Sequence, residues 1–174
     1  MVAAVVLAAG ASSRFGSPKQ RLLLAPVLER VRAARSIGEI VVVAGAYELD
    51  TDARVVRCPD WERGPGASLR CGLTALSDDV DAAVVVLADG PELAPDAVDR
   101  VVEAWQSGAG DVVAASYSGN RGHPLVLDRR VWSAIPDEGA RALRPVLVAC
   151  DDLGAPGDVD VPADLGRVDE AGGE

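Results

Sequence analysis

The chain has 174 residues, enough for one domain whose core needs no staple. Hydrophobic residues make up 49% of it, and with one Phe and two Tyr the packing has to be aliphatic. A net charge of -10 argues against a general nucleic-acid binder, because a polyanion would be repelled, and leaves room for a small anionic substrate at a locally basic site.

Apolar runs alternate with helix-like segments along the chain. Val2–Ala8 is the first predicted strand. A glycine- and serine-rich loop follows, and residues Gln20 to Arg35 carry leucine and valine at helical spacing with arginines on the other side. Glu39–Ala44 and Ala53–Arg57 are predicted strands, the latter ended by Cys58-Pro59. Gly66–Leu76 is a predicted helix, Ala82–Leu87 a fully apolar strand, and Pro95–Trp105 a helix with proline in its first turn. Asp111–Ala115 is a fifth strand, Ser116–Arg121 a turn-rich link, Pro124–Leu127 a short strand and Gly139–Val148 a helix, and the tail from Gly172 is expected to be loose.

The runs around Val2, Ile40 and Val84 are continuously apolar rather than alternating, as strands covered on both faces of a parallel sheet are. The expected fold is therefore α/β: a three-layer, doubly wound, Rossmann-like and mostly parallel sheet, forming a single domain over residues 1–174. No apolar stretch is long enough to span a bilayer, and the first run is too short and too early for a signal peptide. Cys58, Cys71 and Cys150 are odd in number and contain no CxxC, so neither a disulfide frame nor a zinc site is expected, and a reduced, cytoplasmic setting is.

Lysine occurs once, at Lys19, against sixteen arginines, and it closes the loop that follows the first strand. A compact ammonium and small residues that let the backbone approach closely suit a phosphate-binding loop, with Arg14 adding charge. The spacing of Gly10, Gly16 and Ser17-Pro-Lys19 matches neither a Walker A loop nor GxGxxG. Asp89, at the end of the fourth strand, faces the same rim and suits Mg²⁺ as a hard oxygen ligand, although Asp89-Gly-Pro91 is also a good turn sequence. Asp160, in an acidic segment, is a second candidate ligand or an ordinary turn aspartate. His123, the only histidine, is placed either to hydrogen-bond a substrate or as a structural residue. The glycines before Ser68 open a helix whose first N–H groups suit an anion or a nucleobase edge, or simply a plain capped helix.

Together these segments resemble the MobA-like nucleotidyltransferases, and most closely their molybdenum cofactor cytidylyltransferase branch. Leu7 to Lys19 match the opening signature Leu-Ala-Ala-Gly-x-Ser-x-Arg-x-Gly-x-x-Lys at every fixed position. Asp60–Gly64 with Ser68–Leu73, Leu87–Pro91, Arg121–Pro124, Glu138–Arg141 and Asp158–Leu165 resemble later motifs of the family, in its order. The resemblance implies transfer of CMP from CTP to the phosphate of the molybdopterin cofactor, with release of pyrophosphate. It implies nucleotide binding by Leu7, Ala8, Ala9, Gly10, Ser12 and Gly16, with Gly64 and Ser68 beside them. It further implies charge neutralisation by Lys19 and Arg14, Mg²⁺ held by Asp89 and Asp160, and His123 and Arg121 on the acceptor side. A molybdoenzyme or its chaperone is an implied partner; a nucleic acid or a membrane is not. The Ala8-Ala9-Gly10 form favours cytidine over guanosine. Guanylyl transfer to the same cofactor, nucleotidyl transfer to a sugar or polyol phosphate, and a non-catalytic nucleotide-binding module are the alternatives. Three departures stand out: Gly90 where the family usually has glutamine, Leu22–Pro26 without a glycine-rich turn, and only Gly45–Asp52 where a helix often lies.

Overall fold

In this computed structural model the described residues are 1–10 and 19–157, with residues 19–22 described by their backbone alone. Seven strands form one sheet: β1 (Val2–Ala8), β2 (Ile37–Ala44), β3 (Arg54–Arg57), β4 (Ala82–Leu87), β5 (Val112–Tyr117), β6 (Asn120–Asp128) and β7 (Val146–Ala149). Their order across the sheet is β3-β2-β1-β4-β6-β5-β7. Every pairing is parallel except those of β6, which runs antiparallel to both β4 and β5. The doubly wound, mostly parallel α/β expectation is met.

The continuous apolar runs are explained by burial on both faces. Val2, Ala4, Val6 and Ala8 of β1 join a core with α1 (Lys19–Ala33) and α3 (Pro95–Gln106). The alternate residues Ala3 and Val5 join a second core, with Leu69 and Leu73 of α2 (Pro65–Thr74) and Ile135 beyond it. A strand with period two and helices on both sides has no solvent face, so every position is apolar. Each fully buried Val or Leu contributes on the order of 1.5–3 kcal/mol. Gly72 lets α2 lie directly on the sheet: a Cβ there would come within 2.6 Å of Val5 and 2.7 Å of Val43.

Three expectations are corrected. The predicted helix over Gly139–Val148 is a short 3-10 turn at Ala140–Ala142 followed by β7, which pairs with β5. Pro145 breaks any helix there, and Val-Leu-Val is β-branched enough to extend the sheet. The predicted turn-rich link and four-residue strand are the nine-residue β6 and a tight hairpin. Ser118 and Gly119 both have positive φ, the geometry of a two-residue type I′ connection between Tyr117 and Asn120. Finally, Cys58 and Cys71 form a disulfide with a Cα–Cα separation of 5.9 Å. The twelve residues between them cross a turn and enter α2, and only the packing of that helix against the sheet brings the thiols together. Cys150 is a buried free thiol. Among the described residues, no helix is long and apolar enough to cross a membrane. The stretch between β2 and β3 contains no helix.

Candidate active site

Three parallel strands end level with one another. Leu7 pairs with Leu87 and Ala8 with Ala44, so the chain leaves β1 at Ala9-Gly10, β2 at Gly45 and β4 at Ala88-Asp89 on one rim. The Ala88 N–H donates to the Leu7 carbonyl at 3.0 Å, fixing the β4 exit beside the start of the first loop. Ligands of open α/β sheets sit at this rim. Leu7 is half-buried, Ala8 and Ala9 are buried and Gly10 is exposed. Trp61 lies against this exit because residue 45 is glycine: a Cβ there would meet Ala9 O at 2.5 Å and Trp61 Cγ at 2.6 Å.

The antiparallel β6 decides the other side of the site. Because it runs backwards, its first residues reach the rim at which β4 and β5 finish. Val85 pairs with Leu125, and two residues further along each strand are Leu87 and His123. The imidazole of His123 is half-buried, and burial together with the Arg121 guanidinium holds its pKa below 6.5, against the opposing pull of the Asp89 carboxylate. His123 is therefore neutral near pH 7. Tyr117 donates its hydroxyl to the His123 carbonyl at 2.7 Å, and burial pushes that phenol up to about 12. The His123–Pro124 peptide is cis.

The two later motifs form one structural unit. Arg121 donates to the carbonyls of Ala140 at 2.6 Å and Leu143 at 2.7 Å, so both terminal nitrogens of its guanidinium hold the turn that carries Arg141. Arg63 and Arg70 converge on Asp137, whose carboxyl the Arg70 hydrogen bond holds below the usual carboxylate range. The Gly66 N–H at the start of α2 donates to the Asp137 carbonyl at 2.9 Å, and a Cβ on Gly66 would lie 1.7 Å from Pro136 O. The first turn of α2, with half-buried Gly64 and buried Ser68, is thus packed under the 135–139 loop.

Of the residues singled out from sequence, Leu7, Ala8, Ala9, Gly10, Asp89, Arg121 and His123 share the rim, and Gly64 and Ser68 flank it under Asp137. Lys19 opens α1; its side chain is outside the described set, as are Ser12, Arg14, Gly16 and Asp160. No group of three or more His, Cys, Asp or Glu able to hold a metal occurs among the described residues. Asp89 at the rim is a hard oxygen donor, and Mg²⁺ ordinarily takes one or two carboxylates together with substrate phosphates, so the donor chemistry fits. Sequence reasoning took Trp61 only as part of the Asp60–Gly64 motif and passed over Tyr117, Asn120 and the segment Ala155–Gly157. The last three border a cavity of about 390 Å³ beside His123, also lined by Leu87, Gly90 and Leu93. Tyr117 closes an apolar run and was legible as a strand end, but nothing in the sequence places residues 155–157 against β4.

A doubly wound sheet carrying a glycine- and serine-rich loop after β1, a carboxylate after β4 and a second pocket at the start of a reversed strand defines a nucleotidyltransferase-type domain. The chain belongs to the family of MobA-like NTP transferase domains, whose model matches residues 4–153. Its domain is accordingly of the nucleotidyltransferase type. Among solved structures it is similar to Rv0371c from Mycobacterium tuberculosis H37Rv, at 29% identity, TM-score 0.79 and 97% coverage of each chain. A manganese complex of the same protein matches at 26% identity and TM-score 0.73, with 98% of each chain covered. Among curated proteins it is 31% identical over 155 residues to the 2-C-methyl-D-erythritol 4-phosphate cytidylyltransferase of Frankia casuarinae. That match covers 82% of this chain and 58% of the Frankia protein, so the chain spans somewhat over half of that relative's length.

Proposed function

We propose that the chain transfers CMP from CTP to the terminal phosphate of the molybdopterin cofactor. The observation that carries this reading is the two-sided rim: the β1 exit on one side of Asp89, and the His123 pocket at the start of β6 on the other. An acceptor phosphate oxygen attacks the α-phosphorus of the nucleotide, the bond to the bridging oxygen of the β-phosphate breaks, and pyrophosphate leaves. Such a transfer needs in-line placement and charge neutralisation rather than a protein nucleophile. Lys19 and Arg14 would neutralise the triphosphate, while Leu7, Ala8, Ala9, Gly10, Ser12 and Gly16 would bind the nucleotide, mainly through backbone N–H groups. Gly64 and Ser68 would bound the nucleotide side. Asp89 and Asp160 would hold a divalent cation, taken as Mg²⁺, whose chemistry is to screen charge on the phosphates. His123 and Arg121 would border the acceptor, His123 as a neutral hydrogen-bonding ring. One domain over residues 1–174 would carry both sides of the reaction, acting in the cytoplasm where nucleoside triphosphates are made. A molybdoenzyme or its chaperone would receive the product.

A second reading has its own support. The curated relative from Frankia is named for cytidylyl transfer to a polyol phosphate, and the pocket beside His123 would take a polyol as readily by size. Guanylyl transfer is separated from cytidylyl transfer by the nucleotide alone. The test is pyrophosphate release with each NTP and divalent cation, against molybdopterin and against 2-C-methyl-D-erythritol 4-phosphate. The reading expects release with CTP and molybdopterin. Release only with GTP, or only with the polyol phosphate, replaces it; CTP binding without any release replaces it with a binding module.

A further inference from the structure

The segment Gly154–Gly157 lies across the turn after β4, and one contact sets how close it comes. The Glu92 N–H donates to the Pro156 carbonyl at 2.8 Å, which ties the segment to the Gly90–Leu93 turn. An ideal Cβ on Gly90 would lie 3.0 Å from Pro156 Cβ and 3.3 Å from Gly157 O. Gly90 is buried, so a larger side chain has no solvent route away from the strap. Gly157 in turn has φ +76 and would meet the Glu92 carboxylate at 3.1 Å if it carried a Cβ. Ala155, Pro156 and Gly157 form one wall of the cavity of about 390 Å³, and Leu87, Leu93, Tyr117 and His123 form others. The size of that cavity therefore depends on residue 90 lacking a side chain.

Its polarity is equally defined. Among the described residues Arg121 is the one permanently charged side chain lining it, and the Ala140 and Leu143 carbonyls fix its guanidinium while leaving its positive charge in place. What remains is apolar wall, glycine backbone, the Asn120 amide and a half-buried imidazole.

The geometry points to Gly90 and Pro156 as a coupled specificity determinant: the strap seated on Gly90 sets the size of a pocket for a compact acceptor ring system, and a side chain at residue 90 disturbs it. This rests on the rim pocket being the acceptor side of the transfer proposed above.

The test uses the full chain with the fluorescent pterin 6-hydroxymethylpterin, alongside separate calorimetric titration of CTP with Mg²⁺. Gly90→Gln is expected to weaken 6-hydroxymethylpterin about tenfold by crowding the strap, and to leave CTP affinity within about twofold. Pro156→Gly in the Gly90→Gln background is expected to recover most of that loss, which a general folding defect would not allow. An unchanged Kd in Gly90→Gln, or no rescue in the double variant, would overturn the inference. Absent pterin binding with CTP binding intact would overturn it too while leaving nucleotidyl transfer standing. Absent CTP binding would sink the transferase reading, and the pterin titrations would still decide the shape of the pocket.

Discussion

The two ends of the sheet each carry a cavity, and they differ in kind. At the end where β1 and β2 begin, a cleft of about 630 Å³ is bordered by Met1, Arg35, Asp81, Asp111, Asp128 and Arg130. All of these charges are paired within the chain. The Met1 amine sits 2.7 Å from Asp81, Arg35 reaches Asp99, and Arg130 bridges Asp111 and Asp128. Asp128 also accepts the Trp105 indole N–H at 2.9 Å, and these hydrogen bonds more than offset burial and hold its carboxyl below the ordinary range. At the opposite end the cavity is smaller, about 390 Å³, but it adjoins Asp89 and the exit of β1. The larger cleft is a closed set of ion pairs that ties strand starts to helix ends, and the smaller one has chemistry beside it. Volume therefore does not mark the site here; its neighbours do.

The comparison can be broken or sharpened at several points. The largest effect is expected at Lys19. Lys19→Ala should lower kcat for pyrophosphate release by about 10²–10³, the usual cost of one charge-stabilising group. Near-normal turnover in a folded Lys19→Ala protein would remove that residue from the mechanism and weaken the contrast between the two ends. The next is Asp128→Ala at the far end, which leaves the Trp105 indole without its acceptor and Arg130 with Asp111 alone. It should cost about 1–3 kcal/mol in urea unfolding while kcat and KM hold at wild-type values. A fall in turnover larger than the fall in folded fraction would give the larger cleft a functional part after all.

The smallest effect is a pH dependence at His123. Its folded-state pKa lies below 6.5, so as pH drops through 6.5 the unfolded chain binds a proton that the folded site resists. That contribution to stability is fully present above 6.5 and declines as the solution is acidified. His123→Gln should flatten this part of the profile in denaturation midpoints measured across acid pH. An unchanged slope would mean that His123 titrates like a solvated imidazole, and the burial argument for a neutral ring would fail with it.

Much of this was readable in the chain. The runs Val2–Ala8 and Ala82–Leu87 are apolar at every position, and both are strands buried on two faces. Pro95 starts α3 as its sequence promised. Leu7–Gly10 and Asp89, picked from different parts of the chain, do end on one rim, because parallel strands must finish on the same side. The regions that were misread share a cause. Residues 139–149 contain no periodicity that separates a short helix from a short edge strand, and β7 exists because β5 offers it a parallel partner. The pairing of Cys58 with Cys71, and the seat of Pro156 on Gly90, are contacts between segments whose local sequence says nothing of each other.

Sequence alone determined the alternation of strand and helix, the two-sided burial of the central strands and the chemistry gathered in the first loop, because backbone periodicity and residue type act over a few neighbouring positions. Only the tertiary structure decided that β6 runs backwards and delivers His123 to the rim, that Arg121 fastens the 140–143 turn, and that a strap walls the pocket beside His123. Those outcomes depend on which distant backbone groups find hydrogen-bond partners and which side chains fit together, and that is settled when the whole sheet assembles.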